Sequence, residues 1–523
     1  MIRDLITDII IRTVIIKGKF DVRRMHRQAT QARKNNDKLL FSILKMSQNS
    51  EIGRKYHFDQ IRTIEDYRKM VPFSTFHDYQ DYVLRMIDNN EKNLMTSLPV
   101  IGYAQSSGSA GSRKMIPITQ PEVNVYTRYT VTRMLALVDQ YYKKKYSKGL
   151  KPGRGLFTFP AFEDYLPNGT PASNIPDIAA KQLGFFYPYI LILPFRKLFT
   201  PQEIEPHYVN FRYGLLDKNL MYMFGVFFLN YTDYFHYLKN NWKQLVEDIE
   251  KGTISELSYA SAATKEKLLK ITRPEPEISA RLRKEFEKGF DETIISRIWP
   301  NMSVLCGIGA SSFAPFAKIA RKYTGNIPYD FSIYGASEGL FAAVDRTESA
   351  DQLMLIDSCY YEFIPVDDET KILSVDELQI GQEYEIIITN QPGLYRYRCG
   401  DIIKVTGYYH DCPYIQFSYR KGQLLNLCGE KTTEEHMSSV VKAISEKSGC
   451  NILDWVVYSD LEHYPYHYVL LLENEEGKDL SSYSDYAQEA LLKVNVRIPV
   501  FFEIGPMKVA NLKPGSQEQW RKK

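Results

Sequence analysis

The stretch Tyr103–Thr119, YAQSSGSAGSRKMIPIT, gathers Ser106, Ser107, Gly108, Ser109, Gly111 and Ser112 into one run closed by the basic pair Arg113 and Lys114. Small residues leave backbone N–H groups open to an anion, because no side chain stands in the way. A flexible surface turn draws on the same residues. SLPVIGYA ahead of the run and MIPIT behind it both read as short strands. Pro121 then opens a helix with Glu122 in its first turn and Lys143, Lys144 and Lys145 near its end, the polarity that helix ends prefer. The loop therefore joins strand to strand. A Walker A loop runs from strand to helix and needs G-x-x-x-x-G-K-[ST], which this segment lacks, so an ordinary P-loop NTPase is disfavoured.

The 523 residues exceed what one hydrophobic core supports, so two or more domains are expected. A hydrophobic fraction of 44% and a charged fraction of 25% are those of a soluble globular chain. The 66 basic residues nearly cancel the 63 acidic ones, and a net charge of +3 calls for neither nucleic acid nor an anionic membrane. Cys306, Cys359, Cys399, Cys412, Cys428 and Cys450 form no C-x-x-C pair. Zinc is thereby disfavoured, a disulfide framework is not needed at this size, and a reducing, cytoplasmic setting is expected. The N-terminal LITDIIIRTVII is broken by Asp8 and Arg12 and lacks a small-residue cleavage site. It reads as an amphipathic helix, with peripheral membrane contact as the lesser alternative; no uninterrupted apolar run reaches about 18 residues.

Residues 1 to about 95 read as helical. The segment from Tyr213 to Ile254 reads as a long aromatic helical region in which Phe224, Phe227, Phe228 and Tyr231 recur at helical spacing, a stripe more often core than pocket. NMSVLCGIGA, YDFSIYGASEG and YEIIITN read as buried strands, and their alternation with helices argues for an α/β core. After Phe417 the pattern changes. Thr432 and Glu435 read as a capping box, Met437, Val440, Val441 and Ile444 share a face, Gly449 supplies a stop, and two strands and a helix at 483–494 follow. The expected organisation is α/β: a large mixed domain over 1–416, a hinge at 417–424 and a small α+β domain over 425–523.

Two more polar signatures interrupt the strands. In YGASEG, Tyr334–Gly339, Glu338 follows a buried run at the kind of position where open α/β sheets bind ligands. It could hold Mg²⁺, which takes oxygen ligands and bridges to phosphates; a helix N-terminal glutamate is the plain alternative. In YRYRCGDIIKV, Asp401 stands at a Gly-Asp turn ahead of a strand, where it could accept both hydroxyls of a ribose or serve the turn alone.

The order of these motifs resembles the GH3 family of acyl-acid amido synthetases, in a bacterial-type form, within the adenylate-forming enzymes. SSGSAGSRK is similar to that group's phosphate loop, YGASEG to its aromatic-to-glutamate motif, and YRCGDIIKVTGY to its ribose-binding aspartate motif in GH3 form; FHYLKNNWKQLVEDIEKGTI points to GH3 itself. The resemblance runs from about residue 40 to the C-terminus. It implies an adenylate-forming fold of mixed sheets and helices with a small C-terminal domain. It implies ATP and Mg²⁺ as cofactors, with Ser106, Ser107, Gly108, Ser109, Gly111 and Lys114 on the phosphates and Gly309, Ala310 and Ser311 of GIGAS against adenine. Tyr334, Gly335, Ala336 and Ser337 would border the nucleotide and acyl group, Glu338 would hold Mg²⁺, and Asp401 and Arg420 would take the ribose. Lys114 and Glu338 would be catalytic, and Phe227, Phe228 and Tyr231 are candidate walls of the acyl pocket.

The implied reaction adenylates a carboxylic acid and passes the acyl group to an amine, expected to be an amino acid. The implied protein is a cytoplasmic monomer without nucleic-acid partners or an integral membrane span. Two rivals remain: an acyl-CoA synthetase, which shares the first step, and a non-catalytic nucleotide or acyl-ligand binding protein. Ala110 and Arg113 depart from the usual loop, a change the backbone-led role tolerates. Relatives carry a lysine in a short motif beyond the PGSQEQW-like segment, whereas this sequence stops at Trp520, Arg521, Lys522 and Lys523. Either a tail is missing or the first half-reaction is impaired.

Overall fold

A computed structural model of the chain describes residues 2–107, 113–158, 164–166, 168–173, 175–181, 184–192, 206–255, 261–309, 313–421, 423–427, 430, 432–495 and 504–512. Apolar strand segments bounded by turns build its sheets in chain order. β1 (Val100–Ser107) and β2 (Arg113–Thr119) flank the Ser/Gly loop, and β3 (Gly155–Phe157), β4 (Asp164–Tyr165) and β5 (Pro171–Ala172) follow. One four-stranded sheet runs β2-β1-β5-β4. A second, with β6 (Tyr222–Phe227), β7 (Val304–Ile308) and β8 (Tyr329–Asp330), runs β3-β6-β7-β8 and is parallel throughout. Helices follow β6 and β7, and Tyr222, Met223, Val304 and Leu305 are fully buried, as expected of parallel strands covered on both faces.

The aromatic region corrects the expectation of one long helix. Its part YMFGVF is the strand β6, and the helix begins only at Phe228 and runs to Lys251. The Asn230 side chain accepts from the Phe227 backbone N–H at 2.9 Å, which satisfies a donor at the helix start. A run apolar all round fits a buried strand as well as a buried helix, so periodicity alone cannot part them.

The third sheet has seven strands: β9 (Ile333–Ala336), β10 (Gly339–Ala343), β11 (Gln352–Met354), β12 (Tyr360–Pro365), β13 (Glu383–Thr389), β14 (Tyr397–Tyr409) and β15 (Cys412–Arg420). Their order is β12-β13-β14-β15-β11-β10-β9. In a flat sheet β9 would lie four spacings, about 19 Å, from β14. Yet the Tyr334 hydroxyl on β9 donates to Asp401 on β14 at 2.9 Å, and the Tyr361 hydroxyl on edge strand β12 donates to the Phe341 carbonyl on β10 at 3.3 Å. The sheet is therefore curled almost into a barrel around Phe341, Tyr361 and Phe363, all buried.

The chain divides into two compact units, one of Met1–Ser106 with Lys114–Ser418 and one that takes Tyr419–Lys523. The second unit carries β16 (Gln423–Leu425) and β17 (Thr432–Thr433), then a sheet β18-β19-β20 of Ile452–Asp460, His467–Asn474 and Lys508–Asn511. Its helix Glu434–Ser448 is capped one residue later than the sequence suggests: Thr433 accepts from the His436 N–H at 3.2 Å, and the His436 ring nitrogen faces the Thr433 N–H in return. Gly449 ends the helix at φ +68.

Within the large unit one buried ion pair joins the parallel sheet to the curled one. Arg133, fully buried, grips Asp330 with two bonds of 2.9 and 3.1 Å and donates to the carbonyls of Val344 and Tyr129 at 2.7 Å. Asp330 is the last residue of β8, and the chain turns through Ser332 at φ +60 into β9. Asp330→Ala would strand a buried guanidinium and is expected to cost roughly 3–5 kcal/mol in urea denaturation. The double variant Arg133→Met/Asp330→Leu, which leaves no charge behind, is expected to recover much of that loss.

Candidate active site

The carboxyl ends of the parallel strands lie at one edge of their sheet, where open α/β sheets bind ligands. Phe227 ends β6 opposite Ile308 of β7, and Gly309 follows. Gly309 is buried, and a Cβ there would come within 2.4 Å of the Phe228 ring and 2.7 Å of Phe331, so this close approach requires glycine. Phe227 is half-buried and stacks on Phe313 with ring centres 4.6 Å apart. Phe228 and Tyr231 are fully buried. Phe228 packs on Tyr329, and the Tyr231 hydroxyl lies 2.9 and 2.8 Å from the carbonyls of Met223 and Cys306, bridging β6 to β7. Of the three candidate pocket residues, these two give their side chains to the core. Ala310 and Ser311 lie outside the described residues.

YGASEG forms neither a helix start nor an open strand end. Tyr334, Gly335 and Ala336 belong to β9, Ser337 and Glu338 make the two-residue turn of a hairpin, and β10 returns with Gly339 opposite Ala336. In the turn Ser337 is half-buried and Glu338 only 4% exposed. The Tyr397 hydroxyl donates to the Glu338 carboxylate at 3.3 Å, and the Asn390 amide donates to its backbone carbonyl at 2.7 Å.

Asp401 stands inside the 13-residue strand β14 and not in a turn before it. Opposite the single residue Ile386 the strand carries Cys399, Gly400 and Asp401, with Gly400 at φ +78. This glycine bulge re-aims the strand. The Asp401 carboxylate, 2% exposed, thus receives the Tyr334 hydroxyl. Residues 67 positions apart meet here because the sheet curls.

The Ser/Gly loop connects β1 to β2 as read from sequence, but Gly108, Ser109 and Gly111 and the side chains of Ser106 and Ser107 lie outside the described residues. Lys114 is half-buried, its ammonium 5.7 Å from the centre of the Phe76 ring, a cation–π distance. Arg420 ends β15.

One residue of the neighbourhood carried a misleading signal. Glu122 reads in sequence as an acidic partner of a helix N-terminus, and the helix Gln120–Thr127 does begin there. Although part of its stem is exposed, both carboxylate oxygens are out of solvent and have no hydrogen-bond partner among the described residues. Glu122 lines a cavity of about 10 Å³ with Gly339, Cys359 and Asn390, space for about one water. Burial pushes its carboxyl well above the ordinary carboxylate range, and the nearby Glu338 charge adds to the shift. The Thr119 backbone opposes it without forming a bond of ordinary geometry. The folded state therefore binds more protons than the unfolded one above the ordinary value of 4.5, and stability falls as pH rises through that window. Glu122→Gln is expected to flatten this fall, so that its advantage in urea denaturation over the unsubstituted protein grows from pH 5 to pH 8.

With the geometry in place, comparison with known proteins gives the family. The profile of the GH3 family N-terminal domain matches residues 21–329, and that of the GH3 family central domain matches 352–420. The probable indole-3-acetic acid-amido synthetase GH3.1 of Arabidopsis thaliana is 28% identical over 469 residues, covering 86% of this chain and 78% of its own. The 4-substituted benzoates-glutamate ligase GH3.12 of the same plant is 26% identical over 464 residues, covering 85% and 79%. Both are plant proteins, which gives the expectation of a bacterial-type member no support. The solved structure of the GH3.15 acyl acid amido synthetase with 2,4-DB superposes with a TM-score of 0.69 at 21% identity, over 97% of this chain and 91% of that one. The two domain matches together span most of the sequence, and the chain belongs to the GH3 family.

Proposed function

We propose that the protein is an ATP-dependent ligase that activates a carboxylic acid as an acyl adenylate and transfers the acyl group to an amino acid, forming an amide. Family membership supports the reaction class, and the relatives named above are, by their names, amido synthetases and an acid–glutamate ligase. One observation carries the assignment of the site: Tyr334 and Asp401, from two separate motifs, are bonded across the curled sheet at 2.9 Å, with Glu338 in the adjoining hairpin turn.

In this reading a carboxylate oxygen of the acid attacks the α-phosphorus and pyrophosphate leaves. The amine then attacks the acyl carbon, AMP leaves, and the nitrogen loses a proton. Backbone donors of the Ser/Gly loop and the Lys114 ammonium offset the charge that builds on departing pyrophosphate. Gly309 lies against the adenine, and Asp401 accepts from the ribose hydroxyls. Phe227, the half-buried member of the aromatic set, forms the acyl wall, and Phe228 and Tyr231 hold it from behind. The protein's units, 1–416 and 425–523 joined by a hinge at 417–424, belong to the same reading, which the separate cores support.

The donor set fits Mg²⁺. Glu338 is a buried carboxylate whose only side-chain partner among the described residues is a tyrosine at 3.3 Å, with no lysine or arginine on it. A buried carboxylate of this kind is costly unless a cation arrives with the ligand. When bound there, Mg²⁺ would offset phosphate charge and help align the triphosphate.

Amide product and AMP are expected to form, by mass spectrometry, only when ATP, an acid and an amino acid are all present, and CoA in place of the amino acid is expected to give no thioester. Asp401→Asn is expected to raise the nucleotide Kd about tenfold or more by loss of charge-assisted hydrogen bonds. Glu338→Gln is expected to cut acid-dependent pyrophosphate exchange by at least about tenfold with little change in nucleotide binding measured without metal. Full exchange activity in both variants would remove the site assignment.

A further inference from the structure

The N-terminal helix Ile2–Ala29 is apolar on two opposite faces and buries only one. Its inner face carries Ile11 and Ile15, which pack with Met134, Leu135 and Val138, and Gly18, where a Cβ would strike the Thr132 carbonyl at 1.9 Å. At about 100° per residue, Leu5, Ile9, Ile16 and Phe20 fall on the other side of the helix, within about 60° of one another. They are 62%, 56%, 56% and 61% exposed. An amphipathic surface helix in contact with water alone would place charged or polar residues there.

Arg23 and Arg27 continue that outer line, flanked by Arg12 on one side and Thr13 on the other, and all four are exposed. The helix has seven lysines and arginines against three aspartates, a net +4, whereas the whole chain carries +3. Lys17, Lys19 and Arg24 are paired with Asp21, Asp139 and Asp357, which leaves Arg23 and Arg27 as the cations of the outer line. Of the three acids, Asp21 is buried and Asp8 is held by Arg12 at 2.6 Å. Arg23 places its guanidinium 5.9 Å from the centre of the Phe20 ring, a cationic head beside an apolar anchor.

We propose that this outer face is a peripheral membrane-binding surface: the helix lies in the plane of an anionic bilayer, with Leu5, Ile9, Ile16 and Phe20 in the boundary between headgroups and acyl chains. Arg23 and Arg27 meet the lipid phosphates. From Leu5 to Phe20 the apolar line extends about 22 Å along the axis, enough for an in-plane anchor. No described helix is long and apolar enough to cross a membrane, so the contact is with the surface. A second copy of the chain is a poorer occupant. A two-fold pairing through this face meets Arg23 and Arg27 with no acid on the outer line to oppose them. Anionic headgroups neutralise each cation instead.

The surface is independent of the proposed reaction. The full chain is expected to co-sediment with vesicles of phosphatidylcholine and phosphatidylglycerol and weakly with phosphatidylcholine alone. The double variant Ile9→Glu/Phe20→Glu, at exposed positions outside the core, is expected to lower the partition coefficient about tenfold or more while its urea midpoint and its activity on soluble substrates stay unchanged. Arg23→Glu/Arg27→Glu is expected to erase the preference for anionic vesicles. The proposal fails if the unsubstituted chain stays in the supernatant with anionic vesicles, or if the Ile9/Phe20 variant sediments as well as the unsubstituted chain. It fails equally if sedimentation velocity shows a dimer that these substitutions dissolve.

Discussion

The buried pair Arg133–Asp330 sets where the chain leaves one sheet and enters the next. Four donated bonds from one guanidinium reach Asp330, Val344 and Tyr129, so a helix, the end of β8 and the chain just past β10 are tied at one point. The Val344 N–H donates in turn to the Ser332 carbonyl at 3.1 Å. Both roots of the β9–β10 hairpin are therefore held, and the hairpin's direction is the direction in which Tyr334 and Glu338 are presented. Planar, forked donation suits this role in a way that an ammonium would not. The geometry of the site thus depends on an interaction outside it.

Closure of the seven-stranded sheet is the second constraint. A strand pair fixes only neighbours, and β9 and β14 are not neighbours. Curling brings them together, the bulge at Gly400 aims Asp401 inward, and Tyr334 completes the contact. Inside, Tyr334 packs edge-on against Phe341 with ring centres 5.2 Å apart, so the hydroxyl is positioned by aromatic packing as well as by its bond. On the opposite flank the same strand β14 supplies Tyr397 to Glu338. One strand therefore addresses both acidic motifs through residues four positions apart.

Local features were legible where residue chemistry is local. The strand–loop–strand reading around the Ser/Gly run, Pro121 at a helix start, Gly449 at a helix end and the buried face of Met437, Val440, Val441 and Ile444 all follow from turn, cap and periodicity rules. The misreadings have physical causes as well. YMFGVF is apolar without a period, so its extended form depends on parallel neighbours the sequence cannot name. SEG looked like a strand end or helix start because a two-residue hairpin turn uses the same residues. Asp401 looked like a turn residue because a glycine bulge inside a strand and a Gly-Asp turn share a sequence. Order and spacing of motifs revealed the family; the sheet curvature that joins them is a long-range property with no local mark.

The carboxylates of the curled sheet divide by partner, and the division bears on function. Glu362 is 1% exposed and receives Arg396 at 2.8 Å and Arg68 at 3.0 Å; Glu385 receives Arg398. These acids are neutralised within the protein and tie strands and helices together. Glu338, equally buried, receives only a tyrosine hydroxyl and a bond to its backbone among the described residues. A hydroxyl orients a carboxylate without cancelling its charge, and the nearby Glu122, whose carboxyl burial drives toward its neutral form, adds little competing charge. Among the described residues no lysine or arginine meets the buried Glu338 carboxylate. Such an arrangement is unfavourable for stability alone and favourable for receiving a cation, which is the physical reason to seek function at this hairpin and not at the better-paired acids beside it.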